Sequence, residues 1–337
     1  KTGLWSAMKP VPSSSAVSLS HVQIRLSVWP SLPFYPLFRN PERMLKVRAP
    51  ATSANLGSGF DVFGVALDRP ADIITVSQAE HTTIEVRGAG SQFIPEDPDS
   101  NVVGAVANAL DAPAHIKIDK GVRPSSGLGS SAASSAGAAL ALNTLYERGL
   151  TRHELVPIAA EGEAVVSGDA HSDNVAPALL GGFTVARGDS VTAIEADIPL
   201  VACLPEIAVS TRDARRVIPD STSMENLIHT VASAATLTAG MARDDPALVG
   251  KGMDERIVTP ARANLITGYE SVKEAAFMAG ATGVTVSGAG PAIIAACPTA
   301  TRRQVAGAMV DAFEQADVAA RAYQTRISAG ATVYECE

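Results

Sequence analysis

Pro124-Ser125-Ser126-Gly127-Leu128-Gly129-Ser130-Ser131-Ala132-Ala133-Ser134 packs two glycines and five hydroxyls into eleven residues, and an Ala-rich stretch over 136–145 follows directly. A Gly/Ser turn opening onto a helix aims successive backbone N–H groups at one point, and the helix dipole adds positive potential there. That arrangement suits a polyphosphate. The GK[ST] ending of a Walker A loop is absent, and the glycine spacing is not that of a dinucleotide fingerprint. A small-residue turn that lets a helix pack closely on a sheet is the competing reading of the same letters.

With 337 residues the chain has room for two domains and an ample core. Hydrophobic content of 46% with only 4% aromatic implies cores of Ala, Val, Leu and Ile. A formal charge of −8 argues against nucleic acid or an anionic membrane as the main partner. No apolar run approaches the roughly 18 residues that span a bilayer. Cys203, Cys297 and Cys336 are far apart and form no CxxC pair, so they read as free thiols in a reducing, cytoplasmic setting.

Residues 1–43 differ from the rest. They hold both tryptophans, Trp5 and Trp29, the aromatic trio Phe34, Tyr35 and Phe38, and a single acidic residue, Glu42. The remainder carries 22 basic against 34 acidic residues. The leader lacks the apolar core and cleavage site of a signal peptide. The protein proper is expected to start at Met44, with 1–43 disordered or an over-extended start. The acidic excess fits adaptation to high salt.

After Met44, strand-like and helix-like stretches alternate without an internal repeat. Residues 45–49, 73–76, 83–86 and 114–118 read as strands, and 101–110 as a helix with Ser100 as its N-cap. Thr151-Arg152-His153-Glu154 has capping-box form and opens a helix to about 166 that Pro157 should kink. Residues 181–186 read as a turn into a strand. Near 200 the pattern restarts, with strands at 200–204 and 207–209 and helices at 224–241 and 260–278. Strands at 283–287 and 292–296, a helix at 301–316 and edge strands at 320–326 and 331–334 close the chain. The expected domains are 44–200 and 201–337, each α+β with a mixed sheet.

Two further segments carry chemistry. Ala49-Pro50-Ala51-Thr52-Ser53-Ala54-Asn55-Leu56-Gly57-Ser58-Gly59-Phe60-Asp61 is a strand exit into a polar loop; an Asx-turn with a structural Asp is its plain alternative. Val284-Thr285-Val286-Ser287-Gly288-Ala289-Gly290-Pro291 is a strand ending in a glycine turn. Together the three segments resemble the signature motifs of the GHMP small-molecule kinases, over residues 44–337. The wording of the homoserine kinase branch, APxTSANLGxGFDxxG and HxDNVAPxxxGG, stands at 49–64 and 171–182.

The resemblance implies a two-domain α+β structure, the N-terminal half similar to the second domain of ribosomal protein S5 and the C-terminal half ferredoxin-like. It implies transfer of the ATP γ-phosphoryl group to the hydroxyl of L-homoserine in threonine biosynthesis, with Mg²⁺, by a protein that is often a homodimer. Phosphates map onto residues 124–134, with Ser131 and Glu163 on the metal; Glu161 falls on roughly the opposite helix face. Asn101 and Val102 map to adenine. Homoserine is a zwitterion with a primary hydroxyl, and a guanidinium fork suits its carboxylate. Arg215 and Arg262 match that role, Arg212 and Arg216 being left to solvent. Asp61 takes the ammonium, Asn55 and Asn174 stand near the hydroxyl and γ-phosphate, and Thr211 shares the pocket.

Mevalonate-kinase-like relatives have a catalytic Asp where Asn174 stands and a Lys in the first motif, whereas no lysine lies between Arg48 and Ala112. A neutral Asn orients a hydroxyl but cannot take its proton. Attack without an enzyme carboxylate is therefore expected, with Asp173 as the alternative base. Lys120 or Arg123 would add charge at the phosphates, and His171 would make a structural hydrogen bond. The rivals are a kinase for mevalonate or shikimate and a non-catalytic nucleotide-binding protein of the same fold. A Rossmann dehydrogenase fails for want of a strand-GxGxxG-helix unit.

Overall fold

The computed structural model describes residues 43–167, 172–188 and 190–336, so the leader up to residue 42 and His171 lie outside the described residues. The described residues belong to one compact unit. Burial of period two builds its first sheet. In β4 (Ala114–Lys120), Ala114, Ile116, Ile118 and Lys120 point inward while His115, Lys117 and Asp119 face solvent. β1 (Met44–Asn55) alternates as far as Ala49 and is then buried on both faces.

The sheet runs β11 (Thr332–Cys336), β1, β2 (Gly59–Gln78), β4, β3 (Thr83–Gly88), and β5 (Phe183–Arg187) joins β2 with β6 (Ser190–Ile194) outside it. β3 and β4 are parallel and the other pairs antiparallel. The second sheet, β10 (Ala320–Arg326), β7 (Pro199–Pro205), β9 (Ile293–Ala296), β8 (Gly283–Val286), is antiparallel throughout. The expectation of mixed pairing therefore holds for the first sheet and not for the second.

α2 (Ser130–Leu145) and α4 (Ser172–Leu180) pack on the first sheet, and α1 (Val102–Ala109) and α3 (Arg152–Ser167) pack on α2. α2 is central, against β1, β2, α1, α3 and α4, and is buried almost all round. A helix enclosed on every side has no polar face to offer, which accounts for its run of buried alanines. The C-terminal half adds α5 (Thr211–Arg216), α6 (Met224–Met241), α7 (Pro246–Gly252), α8 (Val258–Ala263), α9 (Tyr269–Met278) and α10 (Arg302–Gln315).

Three local expectations are corrected. Asn101, not Ser100, caps α1, because its Oδ1 accepts from Val103 N–H at 3.1 Å while Ser100 Oγ donates to Asp97. Residues 207–209 form no strand and lead into α5. The single helix expected over 260–278 is two, α8 and α9, since Gly268 at φ 84° leaves helical space between them. The capping box does form: Thr151 N–H donates to Glu154 Oε2 at 2.8 Å and Glu154 N–H to Thr151 Oγ1 at 3.3 Å.

One inward position of β4 is a lysine. Lys120 Nζ pairs with Asp72 of β2 and donates to Ser130 O at 2.8 Å and Ser134 Oγ at 2.9 Å. Asp72 Oδ1 accepts from Gly121 and Val122 N–H at 3.0 and 2.9 Å, and Oδ2 accepts from Ser134 Oγ at 2.9 Å. Both side chains are inaccessible, at 1% and 0% exposure. Removing one partner strands a buried charge. Asp72→Ala should lower the unfolding free energy by about 3–5 kcal/mol in urea denaturation, and the double change Asp72→Ala with Lys120→Met should recover much of it.

Candidate active site

Three turns meet over the start of α2. Thr52 N–H donates to Leu128 O, Gly288 N–H to Ala54 O and Ala292 N–H to Ser126 O, each at 3.1 Å. Ser287 Oγ lies 2.6 Å from Gly127 O and 2.8 Å from Ser53 Oγ, and Asn55 Nδ2 donates to Gly288 O at 2.9 Å. The strand exit, the glycine loop and the third motif thus form one hydrogen-bonded body. Gly129, at φ 61°, is the N-cap of α2, and a Cβ there would lie 1.9 Å from Thr52 Oγ1 and 2.9 Å from Asn174 Oδ1. Having no side chain, Gly129 cannot cap the helix itself. Amides of the first turn are left for an outside acceptor, with the dipole favouring an anion.

These turns border a cleft of about 570 Å³. Pro124, Ser125, Ser126, Gly127, Gly129, Ser130, Ser131 and Ser134 line it, as do Asn55, Asp61, Asn101, Glu163, Asn174, Thr211, Arg215 and Arg262. Leu128, Ala132 and Ala133 are buried in the core instead, where they fix the loop without facing the cleft. Glu161 is exposed to solvent away from it. A second hollow of about 330 Å³ lies on the outer face of the first sheet, beside Lys46, Glu85, Arg87 and Lys117, and holds no motif residue.

Several hydroxyls serve the loop itself. Ser130 Oγ donates to Val122 O at 2.7 Å, and Ser126 Oγ accepts from Leu128 N–H at 3.3 Å. Lys120, expected as a cation for phosphate, is paired with Asp72 and holds the loop in place. Ser131 hydrogen-bonds Glu163, whose carboxyl is raised to about 7, chiefly by burial. The Ser131 bond opposes that rise, the charge of Asp173 adds to it, and the Lys120 charge again opposes it. A hydroxyl and a carboxylate beside a second carboxylate make a hard-oxygen pair suited to a divalent cation.

At the other end, two guanidinium groups lie over the Phe60 ring, with the Arg215 and Arg262 carbons 5.2 and 5.1 Å from its centre. Arg215 Nη1 is 2.6 Å from Asp61 Oδ2. Arg262 is buried, donating from Nη1 to Gly288 O at 2.7 Å and from Nε to Ala214 O at 3.2 Å. Burial, and then the neighbouring Arg215 charge, pull its pKa below the usual arginine value. Thr52 Oγ1 donates to Asn174 Oδ1 at 2.8 Å, which fixes the amide's orientation, and Asn174 Nδ2 donates to Asp173 Oδ1 at 3.4 Å with one of its two N–H groups. Arg212 also reaches the cleft, against the expectation that it is merely solvated, whereas Arg216 sits 3.5 Å from Asp213.

Sequence reasoning passed over Phe60 and Thr52, although both lie inside a quoted motif. It also missed Phe93, Ile94 and Pro95, which line the cleft from the turn after β3 and belong to no motif. Asn101 is only 2% exposed, its Nδ2 donating to Pro95 O at 2.5 Å and its Oδ1 capping α1. Its amide holds that wall together.

The family model for the GHMP kinases N terminal domain matches residues 100–182, and that for the GHMP kinases C terminal matches 237–315. A homoserine kinase of Haloquadratum walsbyi is 76% identical over 291 residues, 86% of this chain and the whole of that one. The chain belongs to the GHMP kinases. A homoserine kinase of Haloarcula marismortui is 68% identical over the same shares. The crystal structure of homoserine kinase from Cytophaga hutchinsonii superposes with a TM-score of 0.81 at 32% identity, covering 90% of this chain and all of that one. The α+β GHMP kinase fold implied by the motifs is thereby shown, and the homoserine kinase branch with it.

Because burial lifts Glu163 above its unfolded value, the folded state holds that proton more tightly than the unfolded chain does. Stability therefore falls as pH rises from the ordinary carboxylate range to about 7, and no further beyond it. Glu163→Gln removes the effect. Thermal melts of the ligand-free protein should show the variant level with the parent near pH 5 and more stable near pH 8; an equal offset at both would refute the assignment.

Proposed function

We propose that this GHMP kinase transfers the γ-phosphoryl group of ATP to the side-chain hydroxyl of L-homoserine, giving O-phospho-L-homoserine and ADP in threonine biosynthesis. The meeting, in one cleft, of uncapped helix amides with the Asp61–Phe60–Arg215–Arg262 cage carries this reading. The relatives named homoserine kinase support it. The amides at the start of α2 receive the phosphates. Arg215 and Arg262 take the substrate carboxylate, and Asp61 takes the ammonium, which a hydroxy acid such as mevalonate or shikimate lacks. This holds the hydroxyl toward Asn174, whose amino side donates to the oxygens being rearranged.

Ser131 and Glu163 would hold Mg²⁺, which supplies charge neutralisation on the phosphates when bound. Phosphoryl transfer has a loose transition state, so alignment of the reacting oxygens matters more than a strong base. Asn174 does not accept the hydroxyl proton, since a neutral amide is no base at pH 7. The proton leaves to phosphate or water. Among the described residues no helix is long and apolar enough to cross a membrane, and a cytoplasmic site of action fits substrates that are both small and soluble.

A coupled ADP-release assay with homoserine, mevalonate and shikimate tests the reading: turnover should require homoserine, and turnover with mevalonate alone would overturn it. Glu163→Ala should lower kcat by about 10³-fold, as loss of a charge-stabilising contact does. Arg215→Met should raise the homoserine KM by roughly 10- to 100-fold, the worth of a charge-assisted hydrogen bond, while the ATP KM stays put.

A further inference from the structure

Arg262 is a buried cation that the cleft reaches at one end only. It is 5% exposed, and its Nε and Nη1 donate to Ala214 O and Gly288 O. Among the described residues Nη2 has no hydrogen-bond partner, which makes it the nitrogen left for an acceptor carboxylate. A guanidinium is a rigid fork, so its backbone must aim it. That backbone is α8, a helix of six residues with Arg262 at its last position but one. So short a helix is not held by its own hydrogen bonds.

The N-cap of α8 is Ile257, whose side chain cannot cap. Glu255 does so from two residues earlier. Its Oε1 accepts from Ile257 N–H at 2.5 Å and its Oε2 from Thr259 N–H at 2.6 Å. The carboxylate is buried and takes no part in lining the cleft. It stands at the positive end of the helix and Arg262 in the last turn, each where the dipole favours it. Burial and the Arg215 charge lower the Arg262 pKa, and the charges of Asp61, Asp173 and Glu255 work against them.

The same stretch is clamped to both neighbouring motifs. Ser58 Oγ donates to Gly252 O at 2.6 Å, and a Cβ on Gly57 would lie 2.2 Å from Met253 O, so the first-motif loop seats on the residues just before Glu255. Beyond it, Thr259 Oγ1 lies 3.0 Å from Thr285 Oγ1 on β8, the strand that leads to Gly288. Asp254 and Arg256, on either side of Glu255, are exposed instead. Glu255 is thus the buried polar link between the two anchors.

We infer that Glu255 is a positioning residue for the acceptor: from behind the cleft its carboxylate fixes the start of α8 and thereby aims Arg262 at the acceptor carboxylate, without touching any reactant. This role rests on the proposed function, and the test separates the two. Glu255→Gln keeps the size and one acceptor oxygen but turns an NH2 group toward one of the two amides. In the coupled assay its homoserine KM should rise roughly 10-fold while kcat and the ATP KM stay at the parent values, the pattern of an acceptor held less well before and during transfer. Glu255→Asp keeps the charge and reaches the N–H two residues on, as in an Asx-turn, and should bring the KM most of the way back.

Asp245→Ala is the control for the mere loss of a cap. Asp245 Oδ1 accepts from Ala247 and Leu248 N–H at 2.9 and 3.1 Å at the start of α7, so its removal should lower the Tm and leave the homoserine KM unchanged. An unchanged KM in folded Glu255→Gln, a loss confined to kcat, an Asp variant as impaired as the Gln one, or an equal rise in KM in Asp245→Ala would each overturn the role of Glu255. A parent that does not phosphorylate homoserine at all removes the proposed function and this role with it. A parent that does, beside a Gln variant with the parent KM, removes the role alone.

Discussion

A single buried carboxylate sets the position of the phosphate loop. Asp72 gathers two backbone N–H groups, a serine hydroxyl and the Lys120 ammonium, and Lys120 in turn reaches the carbonyl of Ser130 at the first turn of α2. Taking both charges out of water is costly, and only dense hydrogen bonding offsets it. Further along, the carbonyls of Ser126, Gly127 and Leu128 accept from Ala292 N–H, Ser287 Oγ and Thr52 N–H, so the loop is held by its oxygens. A loop whose amides at the start of α2 must stay free for a ligand cannot be fixed by using those amides. Fixing it from behind, through a strand residue, resolves the conflict.

Charge is laid out along the cleft with a sense of direction. Glu163 and Asp173 make one flank acidic, and burial lifts the Glu163 carboxyl to about 7, so that it changes charge around neutral pH. Arg215 and Arg262 make the other flank basic, with Asp61 as partial counter-charge. Under the proposed function a zwitterionic substrate would meet Asp61 and Arg215 as an existing ion pair and exchange partners with it, adding no net charge there, while the nucleotide phosphates would be met mainly by helix amides.

The parts of the site most legible in the sequence were those where backbone geometry dictates the residue. Gly129 must be glycine because Thr52 and Asn174 stand where its side chain would go, and Asn55, at φ 72°, uses its side chain to hold the turn to Asp61 N–H. Such requirements leave letters behind. Phe93 left none, because its place in the cleft wall depends only on the turn that carries it. Lys120 falls in phase with the buried positions of β4, yet a lysine read alone points to solvent or a phosphate. Nothing local in the sequence names Asp72, 48 residues away, as its partner. The break at Gly268 was hidden by apolar spacing that continues across it, and the cap at Asn101 by a serine one position earlier that fits the same rule.

The division between backbone and side chain also explains how one fold can serve different acceptors. Under the proposed function phosphate is held by amides at the end of a helix, which only a change to proline removes. The acceptor, on the same reading, is held by side chains on separate elements: Asp61 and Phe60 on β2, Arg215 on α5 and Arg262 on α8. Each of those can be exchanged without disturbing the loop, with one exception. Arg262 also ties Gly288 to Ala214, so it joins the third motif to the helix that bears Arg215. A change of acceptor that spares Arg262 is structurally cheap, whereas one that replaces it must find another way to close the motif over the cleft. Substrates that keep a carboxylate are therefore the easiest neighbours for this scaffold to reach.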